Sequence, residues 1–343
     1  MKKLFSSLMS IILVGAIAFT GCASDKGSST ENENNTETNG AYPIVIEHAL
    51  GTTTIEEEPM RIAAIGARNE DVALALGVVP VGISRSWFGI LDDTGLYEWT
   101  NKAIEELGGE TIVYDDLDGL NFEAISASEP DLIIATYSGI TAEDYEILSQ
   151  IAPTVAYSEK PWQLDWRNRI LVDSKAMGRE EEGKQMVSDL EKVIKEAAEK
   201  HPEIKGKTVG LFNFNDITDL SKFWIYLPGD SRAAHLEDFG FTVPESIKKF
   251  DEQEENFAIH VSAENVELLS DIDVIVMFGN DEVLNAIQND PLISTIPAIQ
   301  RGSVVVITDD QPIAAAANPS ALSIPEYSEA LAELYAEAAA KVK

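Results

Sequence analysis

Twice along the chain, short apolar runs alternate with stretches of helical periodicity, and this alternation limits the fold more than any other feature. The first set of runs covers residues 61–66, 79–84, 131–137 and 153–157; the second covers 208–214, 273–278 and 303–308. Apolar runs bounded by Gly, Pro and Asp, with helices between them, build βαβ units whose mainly parallel strands are buried on both faces. Ahead of the first set, residues 42–56 read as a small hairpin with a turn at Leu50-Gly51. Between the sets, residues 162–201 carry Ile170, Leu171, Val172, Met186, Leu190, Val193, Ile194 and Ala197 at helical spacing, in two pieces separated by Gly178. The second piece, from Arg179 to His201, would be about 34 Å long at the rise of an α-helix, enough to span two adjacent lobes. The expected class is therefore α/β, with an N-terminal lobe over residues 42–162, a helical connection over 163–201 and a C-terminal lobe over 202–343.

The halves also resemble each other. Asn121-Phe122-Glu123-Ala124-Ile125 leads into Asp131-Leu132-Ile133-Ile134, and Ser262-Ala263-Glu264-Asn265-Val266 leads into Asp273-Val274-Ile275-Val276. Each places a Glu in the first turn of a helix and, eight or nine residues later, an Asp opening a buried strand. The macrodipole favours a Glu at any helix start, but the matched context points to a pseudo-repeat.

The ends set the compartment. Lys2 and Lys3 precede a nearly unbroken apolar run over residues 4–19, shorter than the roughly 20 residues a membrane span needs. A basic start, a short apolar core and small residues before a cut site describe a secretion signal over residues 1–21. Phe19-Thr20-Gly21-Cys22 resembles the bacterial lipobox, in which the Cys receives diacylglycerol and becomes the mature N-terminus, anchored to the outer face of the cell membrane. Cys22 is the only cysteine, so no intrachain disulfide or thiolate metal site can form. Residues 22–41 are almost wholly polar and small, a composition that suits a flexible tether.

A formal charge of −34 argues against nucleic-acid binding, which needs a cationic surface. An anionic ligand would require a local cationic pocket, and with eight arginines the candidates are few. There is no G-x-S-x-G, H-E-x-x-H or G-x-G-x-x-G motif, so neither a hydrolase nor a dinucleotide-dependent oxidoreductase is favoured. Gly206-Lys207-Thr208 precedes a strand, where a phosphate loop would follow one. Asp116-Leu117-Asp118-Gly119 has Tyr114 and Ile125 where a calcium loop needs acids. No two of His48, His201, His235 and His260 stand at metal-ligand spacing.

Residues 42–55 (Tyr42-Pro43-Ile44 through Ile55), followed by Pro59-Met60-Arg61-Ile62, are similar to the start of iron–siderophore binding lipoproteins. Asn69-Glu70-Asp71-Val72 through Val81-Gly82 is similar too, as are Tyr137-Ser138-Gly139-Ile140 and Leu148-Ser149-Gln150 through Tyr157. The likeness covers essentially the whole mature chain and is strongest before residue 180. It implies two Rossmann-like lobes joined by a long stiff helix, a ligand cleft between them, a modest hinge movement and no catalysis. It also implies a monomer that captures a ferric siderophore and presents it to the permease subunits of an ABC importer. Iron would come only as part of the bound chelate, with no cofactor of the protein's own. Cobalamin, haem or another chelate is the rival cargo; relatives that take bare zinc or manganese use several His, which are scarce here. An adhesin or sensor on the same fold is a further alternative. By the same resemblance Glu123 and Glu264 fall on the motif positions whose carboxylates meet permease arginines.

Open α/β sheets bind ligands beyond the C-terminal ends of their strands, which nominates Arg68, Arg85, Trp87 and Tyr137 in the first lobe and Phe214, Phe278, Asn280 and Gln311 in the second. Trp224 and Tyr226, in an expected loop over residues 222–226, and Arg232 complete the set. Arginine forks suit carboxylate or catecholate oxygens, and aromatic faces suit an organic backbone. Trp162 and Trp166 are assigned to packing of the connecting helix.

Overall fold

Hydrophobic runs buried on both faces become the central strands, and everything else is arranged around them. In the computed structural model, which describes residues 42–89, 94–214, 216–252, 256–308 and 311–343, an antiparallel hairpin comes first. It consists of β1 (Ile44–His48) and β2 (Gly51–Ile55), joined at Ala49-Leu50, one residue earlier than expected. The expected signal segment 1–21, the tether 22–41 and Cys22 lie outside the described residues.

The first lobe runs β3 (Ile62–Ala64), α1 (Asn69–Ala75), β4 (Gly82–Ser84), α2 (Glu98–Leu107), β5 (Ile112–Tyr114), α3 (Phe122–Ala127), β6 (Leu132–Ala135), α4 (Ala142–Ile151) and β7 (Thr154–Ala156). Helices α5 (Trp166–Ala176) and α6 (Glu180–Glu199) follow, with left-handed Gly178 between them. The second lobe runs β8 (Val209–Asn213), β9 (Lys222–Tyr226), α7 (Ser231–Asp238), α8 (Glu245–Asp251) and β10 (Ala258–Ser262), then a 3-10 helix (Ala263–Leu269). It ends with β11 (Val274–Phe278), α9 (Asp281–Asn289), α10 (Pro297–Arg301), β12 (Val304–Ile307), α11 (Pro312–Ala316) and α12 (Ser323–Ala339). Strands β6 and β11, Leu-Ile-Ile-Ala and Val-Ile-Val-Met-Phe, are buried along their whole length, as their uninterrupted apolar sequences require.

Numbered within its lobe, each sheet has the strand order 3-2-1-4-5: β5-β4-β3-β6-β7 in the first and β10-β9-β8-β11-β12 in the second. The first sheet is wholly parallel, whereas β9 runs antiparallel to both its neighbours. Residues 222–226, expected as a loop, are thus a strand. β5 and β10, which lie at sheet edges, have no counterpart among the expected runs. Their polar or exposed positions (Ile112 in β5, His260 in β10) hide the strand pattern.

The lobes share one apolar core. Ile46, Ile62, Val72 and Leu132 of the first lobe belong to the same buried cluster as Ile170 of α5, Ile194 of α6, and Leu211, Val276 and Tyr335 of the second. Helix α6 starts against the first lobe, where Arg179 donates to the carbonyl of Leu76, and ends on the second, where Lys200 pairs with Glu329 of α12. At 20 residues it is about 30 Å long. The chain crosses back after β12. There the segment from Ala315 to Ser320 is gripped by first-lobe and α5 side chains: Arg68 donates to the carbonyl of Ala315, Arg169 to that of Pro319, and Ser320 to the carboxylate of Asp71.

Two predictions follow from this connection. Gly183 lets α6 lie close on α5, since a Cβ there would sit 2.6 Å from the Cβ of Ser174. Alanine ordinarily improves a helix by about 1 kcal/mol over glycine, but overpacking costs about 1–3 kcal/mol. Gly183→Ala should therefore lower the melting temperature, and a rise would mean that the two helices are not in tight register. Asp173 of α5 is wholly buried, and burial pushes its carboxyl up to about 7 against the hydrogen bond from Thr136 and the charge of Arg169. The unfolded side chain ionises near pH 4, so the stability contribution of the protonated form is fullest below that value and is lost as pH rises towards 7. The melting temperature of the wild type minus that of Asp173→Asn should fall between about pH 4 and about pH 7 and level off above; a constant difference would place an ionised Asp173 in the fold.

Candidate ligand cleft

In a 3-2-1-4-5 sheet the chain leaves strands 1 and 4 in opposite directions, which opens a crevice beyond their C-terminal ends. Here the two crevices face one another across a cleft of about 860 Å³. Ala67 and Arg68 follow β3, Tyr137 follows β6, Phe214 and Asp216 follow β8, and Gly279 and Asn280 follow β11; all line it. Ala314 and Asn318, from the returning C-terminal segment, line it as well.

The first-lobe wall is an aromatic chain. Trp87, 52% exposed, meets Trp162 edge-to-face at 5.7 Å, and Trp162 meets Tyr137 at 5.4 Å. Trp162 therefore lines the cleft instead of packing the connecting helix, whereas Trp166 is buried in the core, where its indole donates to Asp238. Gly139 makes room for the Trp162 ring, because a Cβ there would lie 2.5 Å from the indole nitrogen. Phe88 reaches across to Phe278 at 5.5 Å, so the lobes touch through edge-to-face rings that line the cleft.

Both lining arginines are engaged by the protein itself. Arg232, in the first turn of α7, forms a fork with Asp230: Nε donates to Oδ1 at 2.9 Å and Nη2 to Oδ2 at 2.6 Å. Asp230 is also the N-cap of α7, accepting from the Arg232 backbone at 2.8 Å. Against the cost of burial, the Asp230 carboxylate raises the guanidinium further above its usual range. The same guanidinium lies 4.2 Å over the ring of Tyr226. Arg68, buried and left-handed at φ 65°, is held 3.8 Å over the ring of Tyr97. Behind it stand Glu70 and Asp71. Burial, with the charge of Asp71 beside it, pushes Glu70 up to about 8. Asp71 is also raised by burial, but accepts from Trp99, Thr100 and Ser320, a donor set that suits the ionised form. Neither carboxyl forms an ion pair with Arg68, whose Nη2 donates to the carbonyl of Ala315 and whose Nε and Nη1 have no hydrogen-bond partner among the described residues.

A second cavity of about 890 Å³ adjoins the first and shares Phe257 with it. Trp224 and Tyr226 of β9 and His260 of β10 line this cavity, with the Trp224 and His260 rings 3.6 Å apart. Trp224 and Tyr226 thus stand beside the main cleft, joined to it by the stacked rings of Tyr226 and Phe257 and by Arg232. Of the sequence-nominated residues, Arg68, Trp87, Tyr137, Phe214, Arg232, Phe278 and Asn280 line the main cleft. Arg85 and Gln311 do not. The Arg85 side chain runs along Gly95, and Gln311 is exposed at the start of α11.

Residues the sequence did not nominate include Phe88, Tyr97, Asp216, Asp230, Phe257, Glu282 and Asn318. Asp230 carried a usable signal, an Asp one residue before the start of α7 and two before an Arg. Phe88, Asp216 and Glu282 lie a few residues beyond β4, β8 and β11, Tyr97 and Phe257 immediately precede α2 and β10, and Asn318 arrives with the return of the C-terminal segment. Among the described residues no group of three or more His, Cys, Asp and Glu could hold a metal ion, and no helix is long and apolar enough to cross a membrane.

Comparison with known proteins agrees with this architecture. PiaA of Streptococcus pneumoniae TIGR4, solved in complex with ferrichrome, is 48% identical, covers 88% of this chain and 100% of its own, and superposes with a TM-score of 0.84. SirA of Staphylococcus aureus, solved with staphyloferrin B, shares the fold at 24% identity and a TM-score of 0.67, over 84% of this chain and 97% of its own. YfiY of Bacillus subtilis strain 168, described as a probable siderophore-binding lipoprotein, is 28% identical over 287 residues, 81% of this chain and 79% of that protein. The family model described as periplasmic binding protein matches residues 62–311, and the chain belongs to that family.

Proposed function

We propose that this protein is an extracytoplasmic, lipid-anchored solute-binding protein that captures a ferric siderophore and delivers it to an ABC importer. The observation that carries the reading is the cleft itself. Two facing switch points, walled by Trp87, Trp162, Tyr137, Phe88 and Phe278, offer a bulky organic chelate large apolar faces on both lobes. The likeness to a structure holding ferrichrome and to a siderophore-binding lipoprotein supports it. No step of bond making is involved: the iron stays within its chelate, and the protein contributes shape, aromatic contact and a few hydrogen-bond donors. Lipidation at Cys22 and the polar tether at 22–41 would keep the lobes near the membrane while letting them turn towards a permease.

Glu123 and Glu264 fit the docking role. Both are exposed, and both lie in the first turn of the helix that leads from strand 3 to strand 4 of their sheets, α3 in one lobe and the 3-10 helix in the other. Neighbouring polar groups cap these helices: Asn121 accepts from Ala124, and Ser262 from Glu264. The Glu side chains are therefore not needed for capping. One exposed carboxylate at the same topological place on each lobe lets a partner read how the lobes are set relative to one another.

The test of the cargo is intrinsic tryptophan fluorescence of the mature protein, titrated with ferric siderophores, their iron-free forms, cobalamin and haem. A ferric chelate should quench saturably, and Trp87→Phe and Trp162→Phe should each remove part of the signal. Saturable quenching by cobalamin or haem alone would replace the siderophore reading. For docking, Glu123→Lys combined with Glu264→Lys should abolish uptake into cells while leaving soluble chelate affinity within about twofold; equal losses in both assays would assign these residues to fold support.

A further inference from the structure

The outer edge of the second sheet is open. β10 stands at that edge, paired only with β9 and in unbroken register from Ala258 to Ser262. The backbone bonds from Leu227 to Phe257 and from Ala263 to Ser221 fix the alternation of the ladder, so residues 257, 259, 261 and 263 turn their N–H and C=O groups towards β9. Those of Ala258, His260 and Ser262 therefore point outwards, and no strand among the described residues takes them up. Sheets usually blunt such an edge with Lys, Pro, a bulge or a very short strand. β5, at the same place in the first lobe, is three residues long. β10 has five, Ala-Ile-His-Val-Ser, and none of these devices. The second cavity, of about 890 Å³, runs along this edge: residues 256–262 all line it, as does Leu268, which is 50% exposed. None of its described lining residues is Asp, Glu, Lys or Arg. The charge just outside is negative. α8 with its C-cap, β9 and the 3-10 helix carry exposed Glu245, Asp251, Glu252, Glu264 and Glu267 against Lys222, Lys248 and Lys249. Lys248 is paired with Glu245, which leaves four carboxylates facing two lysines.

We infer that β10 is a docking edge, at which an extended, basic segment of the permease adds as a further strand and sets an apolar side chain into the cavity. Strand addition draws affinity from main-chain hydrogen bonds and specificity from pockets for alternate side chains, and both are offered here. The inference rests on the docking reading of Glu264 above and extends it: the 3-10 helix that carries Glu264 starts directly after Ser262 and also brings Leu268 to the cavity. A basic side chain that meets Glu264 thus arrives beside the open edge. A second copy of this chain fits poorly, because its formal charge is −34 and edge-to-edge pairing would bring both sets of carboxylates together.

The test measures binding of the soluble mature protein to the importer held in nanodiscs. Ser262→Pro removes one outward N–H at φ −71°, an angle that proline accepts, and Ser262→Ala loses the same hydroxyl but keeps that donor. Ser262→Pro should bind the importer about tenfold or more weakly than Ser262→Ala. His260→Lys should weaken binding by a similar factor and His260→Glu should not, since a basic segment is repelled by the first and attracted by the second. Equal importer binding by Ser262→Pro and Ser262→Ala would overturn the inference, as would equal effects of His260→Lys and His260→Glu. A stable wild-type dimer that Ser262→Pro breaks would overturn it too, by assigning the edge to a second copy. If Ser262→Pro does not fold, the His260 pair decides. Should Glu123→Lys combined with Glu264→Lys leave importer binding intact, the docking reading itself fails, and this inference with it.

Discussion

The cleft depends on how firmly its two walls are held apart, and a core that runs continuously from one lobe into the other does the holding. Helices α5 and α6 fill the space between the sheets, and the segment after β12 returns through it. Binding proteins whose lobes meet only through extended strands can swing widely. Here any opening must shear a buried apolar cluster containing Ile170, Ile194 and Tyr335, and disturb Arg68, Asp71 and Arg169, which hold the carbonyls and hydroxyl of residues 315–320. Packed interiors resist such shear because they are close to crystal density. The lobes are thus set for small adjustments around a cargo of fixed size.

The buried polar groups of this junction also explain an apparent contradiction. The chain is strongly acidic, with 59 Asp and Glu against 25 Lys and Arg, yet two of its eight arginines are placed in the ligand cleft. Their positions suggest an anion site until their partners are counted. Burying a guanidinium without a counter-charge is costly; for Arg232 the fold meets that cost through Asp230, whereas Arg68 is held by the carbonyl of Ala315 and the ring of Tyr97.

Much of the architecture could be read from the sequence because it rests on long, uninterrupted apolar runs. The runs around 61–66, 131–137, 208–214, 273–278 and 303–308 each yielded a strand, and the helical pieces on either side of Gly178 became α5 and α6. The short edge strands β5 and β10 could not be read, since each carries an exposed residue, Ile112 and His260, and no alternation survives over so few positions. In the site, residues directly beyond central strands were found by topology alone: Arg68, Tyr137, Phe214 and Asn280. Arg85 was misplaced by the same rule. It follows β4, which stands one place away from the crevice, and its side chain turns along Gly95. Ala314 and Asn318 were missed because no local pattern says that a C-terminal segment returns beneath the other lobe.

The single reversed strand shows how two similar sheets come to offer different walls. In the first lobe, α1 carries the chain from β3 to β4 and keeps the strands parallel. In the second, no helix is found among the described residues between β8 and β9, and a strand that follows another without a crossover has to run back against it. The reversal starts β9 at the cleft end of the sheet, with Trp224 level with Asn213 and Tyr226 level with Leu211. Side chains two apart on a strand share a face, so Trp224 and Tyr226 stand together, and the paired His260 and Ala258 of β10 complete that face. Aromatic surface that a crossover helix would have covered is left half-exposed beside the cleft, with Arg232 stacked on its inner edge. The duplication supplies two crevices that face each other, and in the second the half-exposed Trp224 and Tyr226 form an aromatic shelf beside the cleft.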